Sequence, residues 1–392
     1  MLRAVPQAEG ELRRHHGWRV TLPLAVAAPL PAMAVRFGFL DVPLVVETVL
    51  YGLAIMGAAF LLSWAAEVAQ KDISQTLAIA LLAFIAVLPE YAVDLVLAYC
   101  AGQGNDPECV HLAVANMTGA NRLLIGIGWA TVVLIYGVKS GKRQVTLRKE
   151  QRTDVGFLLI ATLWAFTIPI RRQLSLIDFV VLGTLFVAYI LRAAREEVEE
   201  PELIGAAAAI GALPTRTRRT TTVVLFVYAA ASILAAAEPF ADGLREIGRE
   251  FGLSQFLLIQ WVAPLASESP EMIIAILFTL RLKVHAGLGT LISSKVNQWT
   301  LLVGTLPLVF SLAGAGLTTG LPMDGRQVEE VFLTAAQSLF AVAVISNLSI
   351  SRWEAVLLMA LFLGQFGFEA RAVRYGFAIV YLVLAVGMFA TS

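Results

Sequence analysis

The sequence predicts an all-α, polytopic membrane protein with about 10–12 transmembrane helices in two inverted-topology repeats. The first observation is composition: of 392 residues, 58% are hydrophobic and 15% charged, and the mean hydropathy is +0.77. Soluble domains carry about 25% charged residues, so a soluble protein is excluded. The second is that apolar runs close to the ~20 residues needed to cross a bilayer recur along the whole chain. The third is that two of these runs contain a Pro-Glu pair.

Twelve apolar runs are long enough to be membrane spans. They lie at 19–39, 43–69, 73–101, 109–138, 154–170, 174–193, 219–241, 254–282, 286–314, 329–349, 352–369 and 374–390.

The mixed-charge segment between the sixth and seventh spans divides the chain near its middle. We therefore expect an N-terminal segment with an extra helix, a first repeat, a linker, a second repeat and a C-terminal helix. Their predicted limits are 1–42, 43–193, 194–218, 219–369 and 370–392. The N-terminal segment is too polar to be a cleaved signal peptide.

The basic loops all fall on one side of the predicted helix order. KSGKRQVTLRKEQR (139–152), TRTRR (215–219) and RLK (281–283) share that side with the basic N-terminus. By the positive-inside rule, the N-terminus and the central linker are cytoplasmic, and the protein lies in a plasma or inner membrane. Arg171 and Arg172, on the outer side, are an exception. A net charge of zero gives no indication of nucleic-acid binding.

The two cysteines, Cys100 and Cys109, bracket a short polar loop. They form a disulfide if the loop faces an oxidising compartment, or they are two buried thiols at helix ends. Of the two, we favour the thiols.

The two halves contain similar polar patterns within apolar runs. In the first half AVLPEYAVD (86–94) is followed by AVANMTGANRLLIGIGW (113–129). In the second half ASESPEM (266–272) is followed by GTLISSKVNQWTLLVG (289–304). The span count places the third helix inside to outside and the eighth outside to inside, so the halves are inverted. Inverted repeats with interrupted helices are typical of secondary transporters with a midplane site.

Proline inside each run predicts a broken helix, because it has no amide hydrogen and disfavours helix in the residue before it. Freed carbonyls beside a carboxylate form a hard-oxygen site suited to Ca²⁺, Na⁺ or Mg²⁺. These ions would be transported substrates; no cofactor is predicted. No His/Cys cluster favours zinc or copper.

At these motifs the chain resembles the calcium/cation antiporter superfamily, which includes the sodium/calcium exchangers, as a divergent member. That family has the patterns G-T/S-S-x-P-E and G-N-x-x-G-S-N in consecutive helices of both repeats. The resemblance covers 86–129 and 266–304 clearly. It implies that the two halves rock around a central ion site in alternating access.

The resemblance implies that Glu90 and Glu271 are the central metal-binding carboxylates and that Asn121 ends the first motif. It departs from the family at Glu268, where a hydroxyl is usual, and at Asp94, where Ser is frequent; Asp94 either binds the ion or pairs with Arg122. The predicted cation-binding residues are Glu90, Asp94, Asn121, Ser267, Glu268, Glu271 and Gln298, with Asn116, Ser294 and Asn297 as secondary candidates.

Lys295 takes the place of an Asn or Asp in the second repeat and is predicted to modulate the charge of the site. Its ammonium either replaces one bound cation or forms a structural salt bridge that locks the bundle. The first alternative makes proton coupling possible.

Charged residues near the span ends are assigned no transport role. Glu67 and Glu238 are explained as snorkelling or capping residues, and Glu329 and Glu330 as the solvated start of the tenth span.

The predicted function is secondary-active antiport of Ca²⁺, or another hard cation, against Na⁺ or H⁺. One alternative is a Na⁺/H⁺ exchanger in which Lys295 replaces a bound cation; another is a relative that does not transport. An intramembrane enzyme is excluded because neither HExxH nor a Ser/His pair in matching spans is present, so no catalytic residue is predicted. The partners are the lipid bilayer and inorganic cations, and both a monomer and a homodimer are compatible with the sequence.

Overall fold

The computed structural model describes residues 17–72, 88–104, 106–195, 203–365 and 370–391. Within these ranges, ten helical segments are long and apolar enough to cross a membrane. They coincide with ten of the twelve predicted spans. The third and eleventh predicted spans, 73–101 and 352–369, extend outside the described residues. The chain is therefore an integral, multi-pass membrane protein, as predicted.

The N-terminal half is a series of helices interrupted by two short strands and one π-helical segment. Its elements are α1 (Trp18–Ala27), α2 (Pro29–Arg36), α3 (Leu44–Ala69), α4 (Leu88–Gln103), α5 (Glu108–Leu123), the π-helical segment Leu124–Trp129, α6 (Ala130–Ser140), β1 (Gln144–Thr146), α7 (Gln151–Ala165), α8 (Thr167–Arg171), β2 (Gln173–Leu174) and α9 (Leu176–Ala193).

The C-terminal half is also a series of helices, interrupted by two π-helical segments and two short strands. Its elements are α10 (Gly205–Gly211), α11 (Thr215–Phe251), α12 (Gln255–Leu280), α13 (Val284–Asn297), the π-helical segment Gln298–Leu302, α14 (Val303–Phe310), a further π-helical segment (Ser311–Ala315), β3 (Leu321–Pro322), α15 (Gly325–Ile345), β4 (Ser349–Ser351), α16 (Arg352–Gly364) and α17 (Arg371–Thr391).

Capping boxes define where three of these helices begin. Ser175 with Asp178, Asp324 with Gln327, and Ser351 with Glu354 cap the starts of α9, α15 and α16. In each box the side chains satisfy backbone amides that have no partner within the helix. Each box follows one of the short strands within three residues, so these helices begin at defined positions beside the strand pairs.

The two halves are joined at their loops by two antiparallel strand pairs. β1 pairs with β4, with Gln144 opposite Ser351, and β2 pairs with β3, with Gln173 opposite Pro322. Each pair combines one loop from each half. Exchanging the two halves converts one pair into the other. β1 and β3 precede the fourth predicted span of the segments 43–193 and 219–369, and β2 and β4 precede the fifth.

Close helix contacts in the bundle depend on glycine. A Cβ atom at Gly119 of α5 would overlap the backbone carbonyl of Gln260 of α12. At Gly243 of α11, a Cβ would overlap the hydroxyl of Thr48 of α3. Small residues of this kind permit close packing of helices in a membrane. The contact at Gly119 brings together the helices that carry Asn121 and Glu271.

Helix α12 is continuous through Pro270, which corrects the predicted break in the second Pro-Glu motif. Both Pro264 and Pro270 lie inside the helix Gln255–Leu280. A membrane helix tolerates proline when surrounding groups satisfy the freed backbone carbonyl, which for Pro270 is that of Ala266. The corresponding residue of the first half, Pro89, lies in the first turn of α4, and residues 73–87 lie outside the described part of the chain.

The central linker is shorter than the predicted segment 194–218. Helix α10 occupies Gly205–Gly211 within it, and α11 begins at Thr215 and continues to Phe251, beyond the predicted end at 241. The part of α11 beyond residue 241 has the polar sequence DGLREIGREF. Hydropathy alone therefore ends the predicted span before this part of the helix.

Cys100 and Cys109 form a disulfide, with their Cα atoms 5.8 Å apart. The expectation of two buried thiols was therefore wrong. The bond connects the end of α4 to the start of α5, which are the two helices that carry the first Pro-Glu motif and its following motif.

Candidate cation-binding site

Three buried glutamates from two helices form the centre of the site. Glu90 lies in the first turn of α4, and Glu268 and Glu271 lie one turn apart on α12. One carboxylate oxygen from each lies within 4.8 Å of the other two. Their exposed fractions are 1%, 0% and 5%. The structure thus brings together three of the predicted cation-binding residues, the two central carboxylates and Glu268.

Four carboxylate oxygens of this group have no hydrogen-bond partner among the described residues. They are both oxygens of Glu90, Oε2 of Glu268 and Oε2 of Glu271. Oxygens bound to one Ca²⁺ at about 2.3–2.6 Å can be at most about 4.6–5.2 Å apart, so all three side chains can bind a single ion. Burial with unpaired oxygens is the condition expected of a hard-cation site.

The three carboxylates strongly disfavour being ionised together. At 4.8 Å and an effective dielectric near 20, each pair of negative charges repels by about 3.5 kcal/mol. With three pairs, the fully ionised group is less stable by about 10 kcal/mol without a compensating positive charge. Either a bound cation or protons must supply that charge.

One buried cationic residue, Lys295, supplies positive charge near these carboxylates. It lies on α13 with no exposed surface, and its charge acts on Glu268. Nζ donates to Asn121 Oδ1 at 2.5 Å and to the Asn121 carbonyl at 3.3 Å. It also lies 4.3 Å from the ring centroid of Trp299, a cation–π contact. The ammonium therefore binds the amide oxygen of Asn121, one of the predicted cation ligands.

Gln298 holds one of the glutamates in place. Its Nε2 donates to Glu268 Oε1, while Gln298 Oε1 has no hydrogen-bond partner in the described part of the chain. The residue begins the π-helical segment that follows α13. Such segments are frequent at functional sites, and the equivalent segment Leu124–Trp129 follows α5.

Asp94 lies one turn beyond Glu90 on α4 and is fully buried. Its Oδ1 accepts a hydrogen bond of 2.8 Å from Asn116 Nδ2. Asp94 Oδ2 and Asn116 Oδ1 have no partner within the described ranges. The alternative pairing of Asp94 with Arg122 is not present, since Arg122 pairs with Glu330.

The remaining predicted residues are buried on the same helices. Ser267, on α12 beside Glu268, donates to the carbonyls of Ala263 and Pro264. Ser294 and Asn297 lie on α13 and are 4% and 2% exposed. All the predicted site residues are therefore inside the bundle.

A buried ion pair next to the site was not predicted. Arg122 NH2 lies 2.5 Å from Glu330 Oε2, and both side chains are almost fully buried. Gln260 also donates to Glu330, Gln365 accepts from Arg122, and the guanidinium stacks 4.9 Å from the ring of Trp261. The pair connects α5 in the first half to α15 in the second. Arg122, a charged residue within an apolar run, was a signal in the sequence, but its partner was not predicted.

Glu329 and Glu330 do not form a solvated helix start, which corrects the prediction for them. Each is 3% exposed. Glu329 binds Arg371 at 2.9 Å and Arg374 at 2.6 Å, both from α17. The capping box at Asp324 makes the start of α15 recognisable in the sequence, but burial of its first turn depends on where α17 packs.

Comparison with protein families gives one match that covers most of the chain. The family profile described as "Sodium/calcium exchanger protein" matches residues 44–194 and 221–368. These two segments are close to the two predicted repeats. A search of curated proteins found no match.

Several solved structures are similar to this one, and three of them are described here. A structure described as the H⁺/Ca²⁺ exchanger CAX has 45% sequence identity, covers 95% of this chain and 94% of its own, and superposes with a TM-score of 0.91. Native YfkE has 16% identity, with 95% of this chain and 99% of that chain covered and a TM-score of 0.61. The sodium-calcium exchanger NCX_Mj has 20% identity, 83% and 99% coverage and a TM-score of 0.54. The last two likenesses concern the fold alone.

Proposed function

The chain belongs to the sodium/calcium exchanger protein family, and on this premise we propose that it is an antiporter that exchanges Ca²⁺ for H⁺ at Glu90, Glu268 and Glu271. Membership of this family makes it a cation transporter and not an enzyme. The ion, the counter-ion and the residues are our proposal.

The observation that carries the proposal is the group of three buried carboxylates beside one buried ammonium. Three ionised glutamates have three negative charges, and Ca²⁺ together with the Lys295 ammonium has three positive charges. Asp94, hydrogen-bonded to Asn116 outside this group, is counted as protonated. The Ca²⁺-bound site is then neutral, which is the state that a low-dielectric environment favours.

Protons are the counter-ion that this group of residues favours. When Ca²⁺ leaves, two protons on the three glutamates restore neutrality with Lys295, so the exchange ratio is about two protons for each Ca²⁺. The relative with 45% identity is described as an H⁺/Ca²⁺ exchanger, which agrees with this choice. In this mechanism Lys295 is a permanent cation on Asn121 and leaves no place there for a transported ion.

A Na⁺/H⁺ exchanger is the second candidate, and full burial of Lys295 is the observation in its favour. A fixed positive charge lowers the total cation charge that the three glutamates can take up. A monovalent ion with one proton would balance the site as well as Ca²⁺ does. Exchange of Na⁺ with no Ca²⁺ flux would identify this alternative.

We also propose that the halves 43–193 and 219–369 are inverted repeats that rock around the site. Two features support the inversion: the strand pairs exchange when the halves are exchanged, and a π-helical segment follows both α5 and α13. Alternating access would then move one half against the other around Glu90 and Glu271.

The orientation that we propose has the N-terminus and the central linker in the cytoplasm and the protein in a plasma or inner membrane. The disulfide Cys100–Cys109 lies at the end of the bundle opposite the basic loop 139–152 in the helix order. Disulfides persist in oxidising compartments, which agrees with an outer location. The exception at Arg171 has a local cause, because its guanidinium binds the buried carboxylate of Asp178.

The test uses purified protein in proteoliposomes that contain a Ca²⁺ dye and a pH dye. H⁺ and Na⁺ gradients are imposed separately, for wild type and for Glu271→Gln. Ca²⁺ movement that a proton gradient drives and that Glu271→Gln abolishes supports the proposal. Ca²⁺ movement driven by Na⁺ alone, at constant pH, contradicts the proposed counter-ion. Ca²⁺ flux that persists in the variant contradicts the proposed site.

A further inference from the structure

A basic cavity of 450 Å³ lies at the end of the bundle that carries the basic loops, outside the ion site. It is lined by Tyr136, Lys142, Arg143, Gln144, Thr146 and His285. These residues come from the end of α6, from the turn and strand that follow it, and from the first turn of α13.

The cavity has positive charge that the described residues do not neutralise. Neither Lys142 nor Arg143 forms an ion pair with an acidic side chain in the described part of the chain, and both are exposed. The charges of Arg148 and Lys142 act on the His285 ring. The His285 Nδ1 atom is buried and has no hydrogen-bond partner among the residues described. The lining therefore offers two exposed cations to an anionic ligand.

The turn that presents these cations is held rigidly. Arg352 Nε donates to the Lys142 carbonyl at 2.8 Å, its NH2 donates to the Gly137 carbonyl, and its amide donates to the Arg143 carbonyl at 2.9 Å. Lys139 donates to the carbonyl of Leu280 at the end of α12. Arg352 and Lys139 make the hydrogen bonds that fix this backbone, so the side chains of Lys142 and Arg143 remain available to bind a ligand.

Two exposed apolar side chains are close in the sequence to residues that line the cavity. Val138, two residues after Tyr136 on α6, is 85% exposed, and Leu282, three residues before His285, is 51% exposed. A ligand with a charged head and hydrocarbon chains could contact both kinds of surface. A free phosphate would use the charged part alone.

We propose that this cavity binds a phosphate-bearing anion, and the flanking apolar surface favours the headgroup of an anionic phospholipid as its source. Basic pockets between helix ends at a membrane surface are suited to such headgroups, since the negative surface potential concentrates them there. Arginine and lysine bind phosphate oxygens by charge-assisted hydrogen bonds. This binding is separate from the proposed exchange of Ca²⁺, because no residue of the cavity belongs to the ion site.

The experiment compares two double variants with equal loss of charge on the same loop. The first is Lys142→Gln with Arg143→Gln, and the matched control is Lys149→Gln with Arg152→Gln, whose side chains are exposed and outside the cavity. Native mass spectrometry of detergent-purified protein measures retention of phosphatidylglycerol, cardiolipin and phosphatidylcholine. Inorganic phosphate and glycerol 3-phosphate are titrated separately as competitors.

The cavity variant is expected to lose about tenfold or more in affinity for the anionic lipids, and the control about threefold or less. Phosphatidylcholine retention should be equal in all three proteins. If millimolar inorganic phosphate displaces the lipid or binds without it, the shared phosphate chemistry is supported and the source is a free anion. Equal losses in the two variants, or no preference for anionic over zwitterionic lipid, would overturn the proposal by showing that only diffuse surface charge is present.

Discussion

Replacing Glu271 by glutamine should halve the number of protons that Ca²⁺ displaces. In wild type, three carboxylates within 4.8 Å retain two protons when Ca²⁺ is absent, because each pair of charges repels by about 3.5 kcal/mol. The substitution removes two of the three repulsions, which is about 7 of the total of about 10 kcal/mol. Glu90 and Glu268 then need one proton to balance Lys295.

The number of displaced protons appears directly in the pH dependence of Ca²⁺ affinity. By linkage, the dissociation constant changes about 100-fold per pH unit when two protons are displaced and about tenfold when one is displaced. Because Ca²⁺ binds more tightly as the pH rises, the expected slopes of log Kd against pH are about −2 for wild type and −1 for Glu271→Gln. The variant should also bind Ca²⁺ more weakly, because its loaded site carries an uncompensated positive charge.

The assay is isothermal titration with Ca²⁺ between pH 6 and pH 8, with proton release followed by a dye in weakly buffered solution. Glu238→Gln is the control, since Glu238 lies on α11 in an exposed ion pair with Arg36 and removing it changes the net charge equally. A slope of about −2 in Glu271→Gln, or the same change of slope to about −1 in the Glu238→Gln control, would refute the charge count.

Three further predictions concern the buried and surface charges. Lys295→Gln leaves the Ca²⁺-bound site with one uncompensated negative charge, so Ca²⁺ flux into proteoliposomes should become dependent on Na⁺ or on an additional proton; a flux with the wild-type ion dependence would contradict the role of this lysine. Glu330→Gln leaves Arg122 buried without its counter-charge and should lower the free energy of unfolding by about 3–5 kcal/mol, measured by thermal unfolding in detergent. Replacing both residues together, as Arg122→Met with Glu330→Leu, should recover most of that loss, and a double variant as unstable as Glu330→Gln would argue against the ion pair as the cause. The hydrogen bonds from Arg218 lower the pKa of Asp72 to about 2, below its ordinary 3.8, so the carboxylate stabilises the folded protein above about pH 4 and loses this effect as the pH falls towards 2. The difference in Tm between wild type and Asp72→Asn should therefore be larger at pH 6 than at pH 3, and a constant difference would contradict it.

The sequence was sufficient for the parts of the fold that depend on local pattern. Apolar runs of bilayer length identified ten spans that the structure describes, because a membrane helix must satisfy its backbone within the segment. The paired Pro-Glu motifs identified Glu90 and Glu271 as a cluster before any contact was known. Intramembrane carboxylates are costly, so their presence in two related runs is informative without structural data.

The contacts between distant helices could not be predicted in the same way. Nothing local distinguishes Glu330, which is buried against Arg122, from a solvated glutamate at a helix start. The ligand of Lys295 is Asn121, 174 residues away, and that choice depends on how α13 packs against α5. The break expected at Pro270 was wrong, since α12 is continuous from Gln255 to Leu280, and proline in a membrane helix does not by itself determine a break.

The two strand pairs have a consequence for the biogenesis of the protein. β1 is translated about 200 residues before its partner β4, and β2 about 150 residues before β3. At about 5–20 residues per second, the ribosome needs roughly 10–40 s to supply the second strand of the longer pair. During that interval the first half is already in the bilayer with its loop unpaired. A nascent chain stopped before residue 349 should be cleaved by proteases at the loop that contains β1. The full-length protein, in which β4 pairs with β1, should resist cleavage there.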